Sequence, residues 1–356
     1  MKLLFTFFVP GGGVETLNRL RCLELRKYGI EGHLLFLNKG SGQTNFGSIP
    51  VYTTPYEEDL LQLIQIHKYD AVIVTSDFTM PEKLRRLSFG GPIVFETQGF
   101  GIREEAIRLL SEGSAQLQAH CTAAVMPPTS HLIELMLGLV PELPRFVFQN
   151  PLDTSAFTYI PGNRPPKPVV AWVGRLENNK NWKLFLEIGY WMVKHRPQVE
   201  LWMFVDYELS AEAEKNEFWL WVNHLGIQDQ IKLLPNVPHF QMPAYYSLIG
   251  DSGGLLLSTS YLEGYGYAVA EAIACRCPVL STDSDGVRNF IIHNQTGKFF
   301  PQGDVNQGVA EAMNLMDDQV LREHIRTGGV NYVTDLMAPE KYALSFRNMM
   351  NALGVY

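Results

Sequence analysis

Short apolar runs alternate with amphipathic stretches along the chain, in two successive series. In the first, Leu3–Phe8, His33–Leu37, Ala71–Thr75, Ile93–Glu96, Ala123–Met126 and Phe146–Phe148 read as short buried strands. The amphipathic stretches Val14–Lys27, Leu60–His67 and Arg103–Leu110 lie between them. In the second, the runs are Val169–Val173, Val199–Val205, Ile231–Leu234, Gly254–Leu257, Pro278–Ser281 and Gly297–Phe300. They alternate with Trp182–Lys194, Glu212–His224, Tyr267–Cys275 and Val305–Met316. Strand, helix, strand in regular order predicts a parallel sheet covered on both faces. Between the series stands Tyr159–Pro168, YIPGNRPPKP, whose four prolines and one glycine read as a linker. The expected fold class is therefore α/β, with two halves of similar size.

Of the 356 residues, 46% are hydrophobic and 19% charged, so each half can bury a core. A formal charge of -8 argues against a dominant grip on nucleic acid. Four cysteines are too few for a disulfide framework; Cys275 and Cys277 read as two buried thiols. Nine histidines without close ligand spacing argue against structural zinc. Met1–Pro10 is short and runs into glycines, as suits a first strand rather than a signal peptide. No run reaches the ~20 apolar residues of a membrane span, so a cytoplasmic protein is expected. The cluster Lys83, Arg85 and Arg86 reads either as a contact with anionic membrane or as a solvated helix face.

Open parallel sheets bind ligands beyond the carboxyl ends of their strands, so the loops there carry the interest. Gly11, Gly12 and Gly13 follow the first strand, permitting close backbone approach and presenting a helix start to an anion. The spacing is not the full dinucleotide fingerprint, and a tight strand-to-helix turn explains it equally well. Gly174-Arg175-Leu176 follows the first strand of the second series, with Lys180 five residues after Arg175. Two cations at a strand end suit a diphosphate, the guanidinium forking two oxygens and the ammonium acting as a point charge. Glu263-Gly264-Tyr265-Gly266-Tyr267 follows the strand Gly254–Leu257, and Glu271 lies in the next helical stretch. Carboxylates are acceptor-only and pair well with sugar hydroxyls. Eight helical residues would separate these two by ~12 Å at most, enough for a sugar at one end and a ribose at the other.

These stretches together resemble glycosyltransferase family 4, a large GT-B group of retaining enzymes. The stretch STSYLEGYGYAVAEAIACRCPVLSTDSDG resembles its signature: a glutamate, seven residues and a second glutamate, with a Gly-aromatic-Gly turn after the first. GRLENNK at 174–180 and GGGVET at 11–16 resemble two further elements, and Asn150, Pro151, Asp153 and Phe157 stand where the family has Asn-Gly-x-Asp and a phenylalanine. The resemblance implies a GT-B fold, two Rossmann-like domains facing across a cleft. Residues 1–160 would bind an acceptor, 161–337 a nucleotide sugar, and 338–356 would be a helix returning to the first domain.

The resemblance also implies roles. Arg175 and Lys180 would clamp the diphosphate, with Gly174 beside them, and Glu263 would contact the donor sugar near the reaction centre. Gly264, Tyr265 and Gly266 would offer backbone N–H groups, Glu271 would anchor the ribose, and Asn236 and Val237 would pass the nucleobase. Gly12 and Gly13 would close over the donor. Two places depart from the family. Gln98 stands in FETQGFG where the family often has a histidine facing the sugar, and DSDGVRN at 283–289 replaces Gly-Gly-x-x-Glu, with Asn289 near the glutamate. Asp283-Ser284-Asp285 spells a metal-binding triplet of the other glycosyltransferase fold, but in GT-B enzymes cationic side chains and helix ends take the metal's place, so no metal and no cofactor are expected.

The implied reaction moves a sugar, most commonly from a UDP-sugar, to a hydroxyl of a saccharide or lipid-linked acceptor with retention, as in polysaccharide biosynthesis. Three rivals remain: a nucleotide-sugar epimerase, a non-catalytic GT-B partner subunit and a dinucleotide-dependent dehydrogenase. The epimerase would need no acceptor, the partner subunit would tend to lose the clamp or the glutamates, and the dehydrogenase lacks its glycine fingerprint here.

Overall fold

In the computed structural model, which describes residues 1–40 and 47–356, the first series of apolar runs builds a seven-stranded sheet. Its strands are β1 (Lys2–Phe7), β2 (Glu31–Phe36), β3 (Val51–Thr53), β4 (Ala71–Thr75), β5 (Ile93–Glu96), β6 (Ala123–Met126) and β7 (Arg145–Val147). They pair in parallel in the order β3-β2-β1-β4-β5-β6-β7. Helices α1 (Gly12–Arg26), α2 (Glu57–His67), α3 (Met80–Arg86), α4 (Arg103–His120) and α5 (Ser130–Leu139) connect them. Strand β3 lacks a sequence signal because Val51 and Tyr52 are only partly buried and Thr53 is exposed, and buried apolar continuity is what marks a parallel strand.

The second series builds a six-stranded parallel sheet from β8 (Val169–Gly174), β9 (Glu200–Val205), β10 (Ile231–Pro235), β11 (Leu255–Ser258), β12 (Val279–Thr282) and β13 (Lys298–Phe300). The order β10-β9-β8-β11-β12-β13 is the doubly wound Rossmann order, running outward from β8 and reversing between β8 and β11. Its helices are α6 (Trp182–His195), α7 (Glu212–Leu225), α8 (Met242–Asp251), α9 (Tyr267–Ala274), α10 (Val305–Asp317) and α11 (Gln319–Leu336). Trp172, Phe185, Ile188, Leu201, Leu257 and Leu315 share its main core. Helix α11 escapes a pattern reading because Gly328 and Gly329 interrupt it. A Cβ on Gly329 would stand 2.7 Å from Ile273 Cγ2, so close approach to α9 explains that glycine.

The chain divides into one compact unit of Met1–Asp153 with Met337–Tyr356 and another of Thr154–Leu336. The sequence placed the boundary after residue 160. The prolines of Tyr159–Pro168 do keep the segment irregular, but its start is tied to α8: Tyr159 Oη donates to Asp251 at 2.8 Å and the Ile160 N–H to Ser247 Oγ at 2.9 Å. The last helix, α12 (Pro339–Ala352), belongs to the first unit, where Phe346 lies 6.0 Å from Phe5 and Tyr342 5.5 Å from Phe148. All four cysteines are free; burial pushes the thiols of Cys275 and Cys277 up, the latter to about 12. Among the described residues no helix is long and apolar enough to cross a membrane. On α3, Arg85 spends its guanidinium on the carbonyls of Phe89, Gly91 and His120, and Arg86 pairs with Glu57. Two of the three basic side chains are thus engaged within the fold.

Candidate functional site

The order reversal between β8 and β11 decides which loops meet in the second unit. The loop after β8 carries Arg175 and Lys180; the loop after β11 carries Glu263, 83 positions from Lys180 in sequence. Because the strands are neighbours and parallel, both loops emerge at the same sheet edge. Lys180 Nζ reaches Glu263 Oε1 at 2.6 Å, and the Ser260 hydroxyl donates to the same oxygen at 2.7 Å. Both members of the ion pair are mostly but not fully withdrawn from solvent.

Asn179 fastens the loops together in the manner of a strand pairing. Its amide donates to Leu262 O at 2.9 Å and accepts from the Leu262 N–H at 3.2 Å, while its own carbonyl accepts from the Tyr261 N–H at 2.8 Å. Below it, the Trp172 indole donates to Thr259 Oγ1 at 3.1 Å, and that hydroxyl lies 3.1 Å and 2.9 Å from the carbonyls of Lys180 and Asn181. Asn181 then takes φ 48°, a left-handed conformation asparagine tolerates, so α6 starts at Trp182, one residue beyond the turn that carries the lysine. Asn179→Ala leaves the Leu262 N–H and carbonyl without their protein partners. It is expected to cost about 1–2 kcal/mol in a urea titration and to lower turnover more than Asn178→Ala, an adjacent change that leaves the staple in place.

The loop after β12 joins from the other side. The Glu263 N–H donates to Ser284 O at 2.8 Å and the Gly286 N–H reaches Glu263 O at 3.2 Å, an isolated parallel bridge between Glu263 and Asp285. Asp285 sits at φ 60°, ψ -70°, with the Gly286 N–H also 2.8 Å from Ser284 O. That is a γ-turn of the strained hand, centred on a residue that is not glycine. Gly-Gly-x-x-Glu set against Asp285–Asn289 puts Asp285 on the first glycine, whose freedom the backbone here uses. Asn289 donates to Gly286 O at 2.8 Å. Arg288 holds Asp283 through Nε at 2.7 Å and a terminal nitrogen at 2.8 Å, and lies 3.4 Å from Asp285. Among the described residues no group of three or more metal-type side chains converges.

The remaining candidates fall into three groups. Arg175, half exposed, pairs with Glu177 at 3.0 Å rather than with Glu263, and Gly174 packs against the Trp172 ring and the Lys180 stem. Glu271 is buried in α9 and points to α8 and to the 3-10 turn His239–Gln241: His239 Nε2 lies 2.8 Å from Oε1, and Tyr246 Oη donates to Oε2 at 3.4 Å. Burial and the Glu271 charge push the Tyr246 phenol well above its ordinary range. The helix begins only at Tyr267, so the ~12 Å helical rise expected between the glutamates does not apply; four helical steps contribute ~6 Å and a turn supplies the rest. In that turn Gly266 has φ 91°, and the buried Tyr265 ring packs edge-on to Phe290 at 4.9 Å. Asn236, at φ 50°, accepts from the Tyr207 N–H at 2.8 Å, tying the loop after β10 to that after β9; half-buried Val237 follows. Gly12, Gly13 and Gln98 lie in the first unit. Gln98 exchanges amide contacts with Asn150 at 2.7 and 3.4 Å.

A glycine-Arg-Leu strand end, a pre-formed lysine–glutamate pair and a Gly-Tyr-Gly helix start at one sheet edge invite comparison with known proteins. Residues 158–331 match the family described as Glycosyl transferases group 1. That stretch, just under half of the chain and lying in the second unit, is thus similar to a glycosyl transferases group 1 domain. D-inositol 3-phosphate glycosyltransferase of Paenarthrobacter aurescens is 26% identical over 231 residues, which are 62% of this chain and 53% of that protein. The match thus spans about half the length of that curated relative. Among solved structures, Anabaena HepE in complex with UDP-glucose has a TM-score of 0.84 at 15% identity, covering 99% of this chain and all of that one. Sucrose-phosphate synthase from Thermosynechococcus elongatus has a TM-score of 0.80 at 16% identity, covering 99% of each. The fold is that of the GT-B glycosyltransferases, two Rossmann-like α/β domains.

Sequence reading missed Asn179, Ser260, Thr259, His239 and Tyr246. Asn179, Thr259 and Ser260 lie inside the stretches singled out above, but nothing in their spacing marks a role in fastening the loops. His239, two residues beyond Val237, has no linear signal linking it to Glu271.

Proposed function

We propose that this chain is a retaining glycosyltransferase that transfers a sugar from a UDP-sugar to a hydroxyl of a saccharide or lipid-linked acceptor. The observation that carries the reading is the contact of Lys180 with Glu263 where the β8 and β11 loops meet, with Arg175 on the same loop. It puts a cation for a diphosphate beside an acceptor for sugar hydroxyls. The HepE complex with UDP-glucose supports the donor class, and the relative named D-inositol 3-phosphate glycosyltransferase supports glycosyl transfer.

In this reading the acceptor oxygen attacks the anomeric carbon from the face the leaving group departs. The bond from that carbon to the diphosphate oxygen breaks, and the acceptor proton passes to a leaving phosphate oxygen. Arg175 and Lys180 take up the charge that grows on the diphosphate. Glu263 accepts hydrogen bonds from the sugar, and Glu271 from the ribose. Gly264, Tyr265 and Gly266 lead into the start of α9, whose N–H groups favour an anion. In this scheme side-chain cations meet the charge on the diphosphate, and Asp283 is engaged by Arg288 through both oxygens.

A thermal-shift screen tests the donor. UDP at a hundred times its dissociation constant stabilises the folded state by about 2.7 kcal/mol, a rise of several degrees, with GDP and ADP well below it. A larger shift with GDP would reassign the base. No shift with any nucleotide diphosphate would remove the donor reading.

A further inference from the structure

The Glu271 carboxylate is almost completely buried in α9 between alanines, valine and isoleucine. A buried carboxylate needs partners for its charge, and an arginine or lysine is the usual one. Among the described residues its partners are instead an imidazole and a phenol, His239 at 2.8 Å and Tyr246 at 3.4 Å. A carboxylate has about four lone-pair directions; these two contacts leave about two, the number a ribose 2′,3′-diol would use. Tyr246 is fully buried, whereas the His239 side chain is 25% exposed, so the histidine side of the carboxylate is the side that meets solvent. The His239 ring is braced by Phe157, 4.9 Å away between centroids and itself buried. With a carboxylate as acceptor, Nε2 carries the proton in either charge state, so the contact does not require a protonated ring.

We propose that His239 is the positioning residue for the ribose-binding carboxylate: its Nε2–H fixes the rotamer of Glu271 so that the free lone pairs face the 2′- and 3′-hydroxyls of the donor nucleotide. The proposal rests on the reading of Glu271 as ribose anchor. It explains why Phe157 is placed where it is, as the ring that stops His239 from swinging off the carboxylate.

The test is ribose discrimination. Calorimetric affinities for UDP and 2′-deoxy-UDP, with GDP and its 2′-deoxy form alongside, are compared for the wild type and H239F, H239Q, H239N and E271A. Melting without ligand serves as the control for folding. The wild type should prefer the ribonucleotide by about tenfold or more, the worth of hydrogen bonds to a charged group. H239F keeps an aromatic ring against Phe157 but has no donor, and its preference should shrink towards unity. H239Q can place an amide N–H near the Nε2 position and should retain the preference; H239N, too short to reach, should behave like H239F and carries the test if H239F does not fold. Loss of the preference in E271A with its full retention in H239F and H239N overturns the role of His239 alone. Full retention in E271A overturns the ribose role of Glu271 itself. Failure of the wild type to bind either nucleotide pair overturns the donor reading on which both stand.

Discussion

Lys180→Ala is expected to lower kcat about 100- to 1,000-fold, the usual cost of one group that stabilises charge appearing in the transition state. The lysine sits on a short 3-10 turn fastened by Asn179 and Thr259, so its ammonium is directed before any ligand arrives. The substitution also frees Glu263 from its cation, although Ser260 still donates to it. The pair is partly buried, and its loss is expected to cost about 1–2 kcal/mol of stability, between the values for exposed and enclosed pairs. Arg175→Ala should move kcat in the same direction with a smaller stability cost, since its side chain is half exposed and its partner Glu177 is on the same loop. The readout is steady-state release of nucleotide diphosphate from the donor, with thermal melting alongside. Undiminished kcat in a folded Lys180→Ala protein would take the lysine out of the chemistry. A Glu263→Gln variant and the double mutant add a cycle in which the two changes should be strongly non-additive.

Gly286→Ala is expected to lower kcat about 100-fold, through position alone. A Cβ on Gly286 would stand 2.5 Å from Glu263 O, 2.9 Å from Tyr265 N and 3.0 Å from the Gly264 carbonyl carbon. All three are backbone atoms of the loop that carries the glutamate, so no side chain can move aside. The bridge between Glu263 and Asp285 must open or the loop must shift, and a shift of ~1 Å at a reacting centre is costly. Overpacking of this kind costs about 1–3 kcal/mol of stability, which melting would record. Gly90→Ala is the matched control, because its Cβ would meet nothing within 4 Å, and it should leave both quantities unchanged. Normal turnover in Gly286→Ala would mean that the loop tolerates displacement and that Glu263 does not need its present place.

Apart from β3, the strands were legible because a run of apolar residues marks a parallel strand without knowledge of its neighbours. Arg175 and Glu263 stand out as candidates in the sequence because each lies beside a glycine after a strand, where backbone chemistry is unusual, and Lys180 and Glu271 follow them within the same loop or the next helix. The links among them do not stand out. Asn179 pairs with Leu262 across 83 positions, and nothing local distinguishes it from Asn178 beside it. Glu271 was expected to look toward a ligand, and it looks first toward His239, because which face of α9 is covered depends on where α8 packs. The γ-turn at Asp285 was hidden for a different reason: aspartate is not a residue from which a backbone of that hand would be forecast, and only the bridge to Glu263 makes it affordable.

The arginine and the lysine each already lean on a carboxylate, Arg175 on Glu177 and Lys180 on Glu263. An arriving anion therefore swaps one negative partner for another instead of quenching a bare charge. If these cations hold the diphosphate as proposed, the same exchange would run backwards when spent nucleotide departs, the acidic side chains falling back onto the cations. Grip would then be traded for turnover, and weak product inhibition would follow from ion pairs already present in the resting protein.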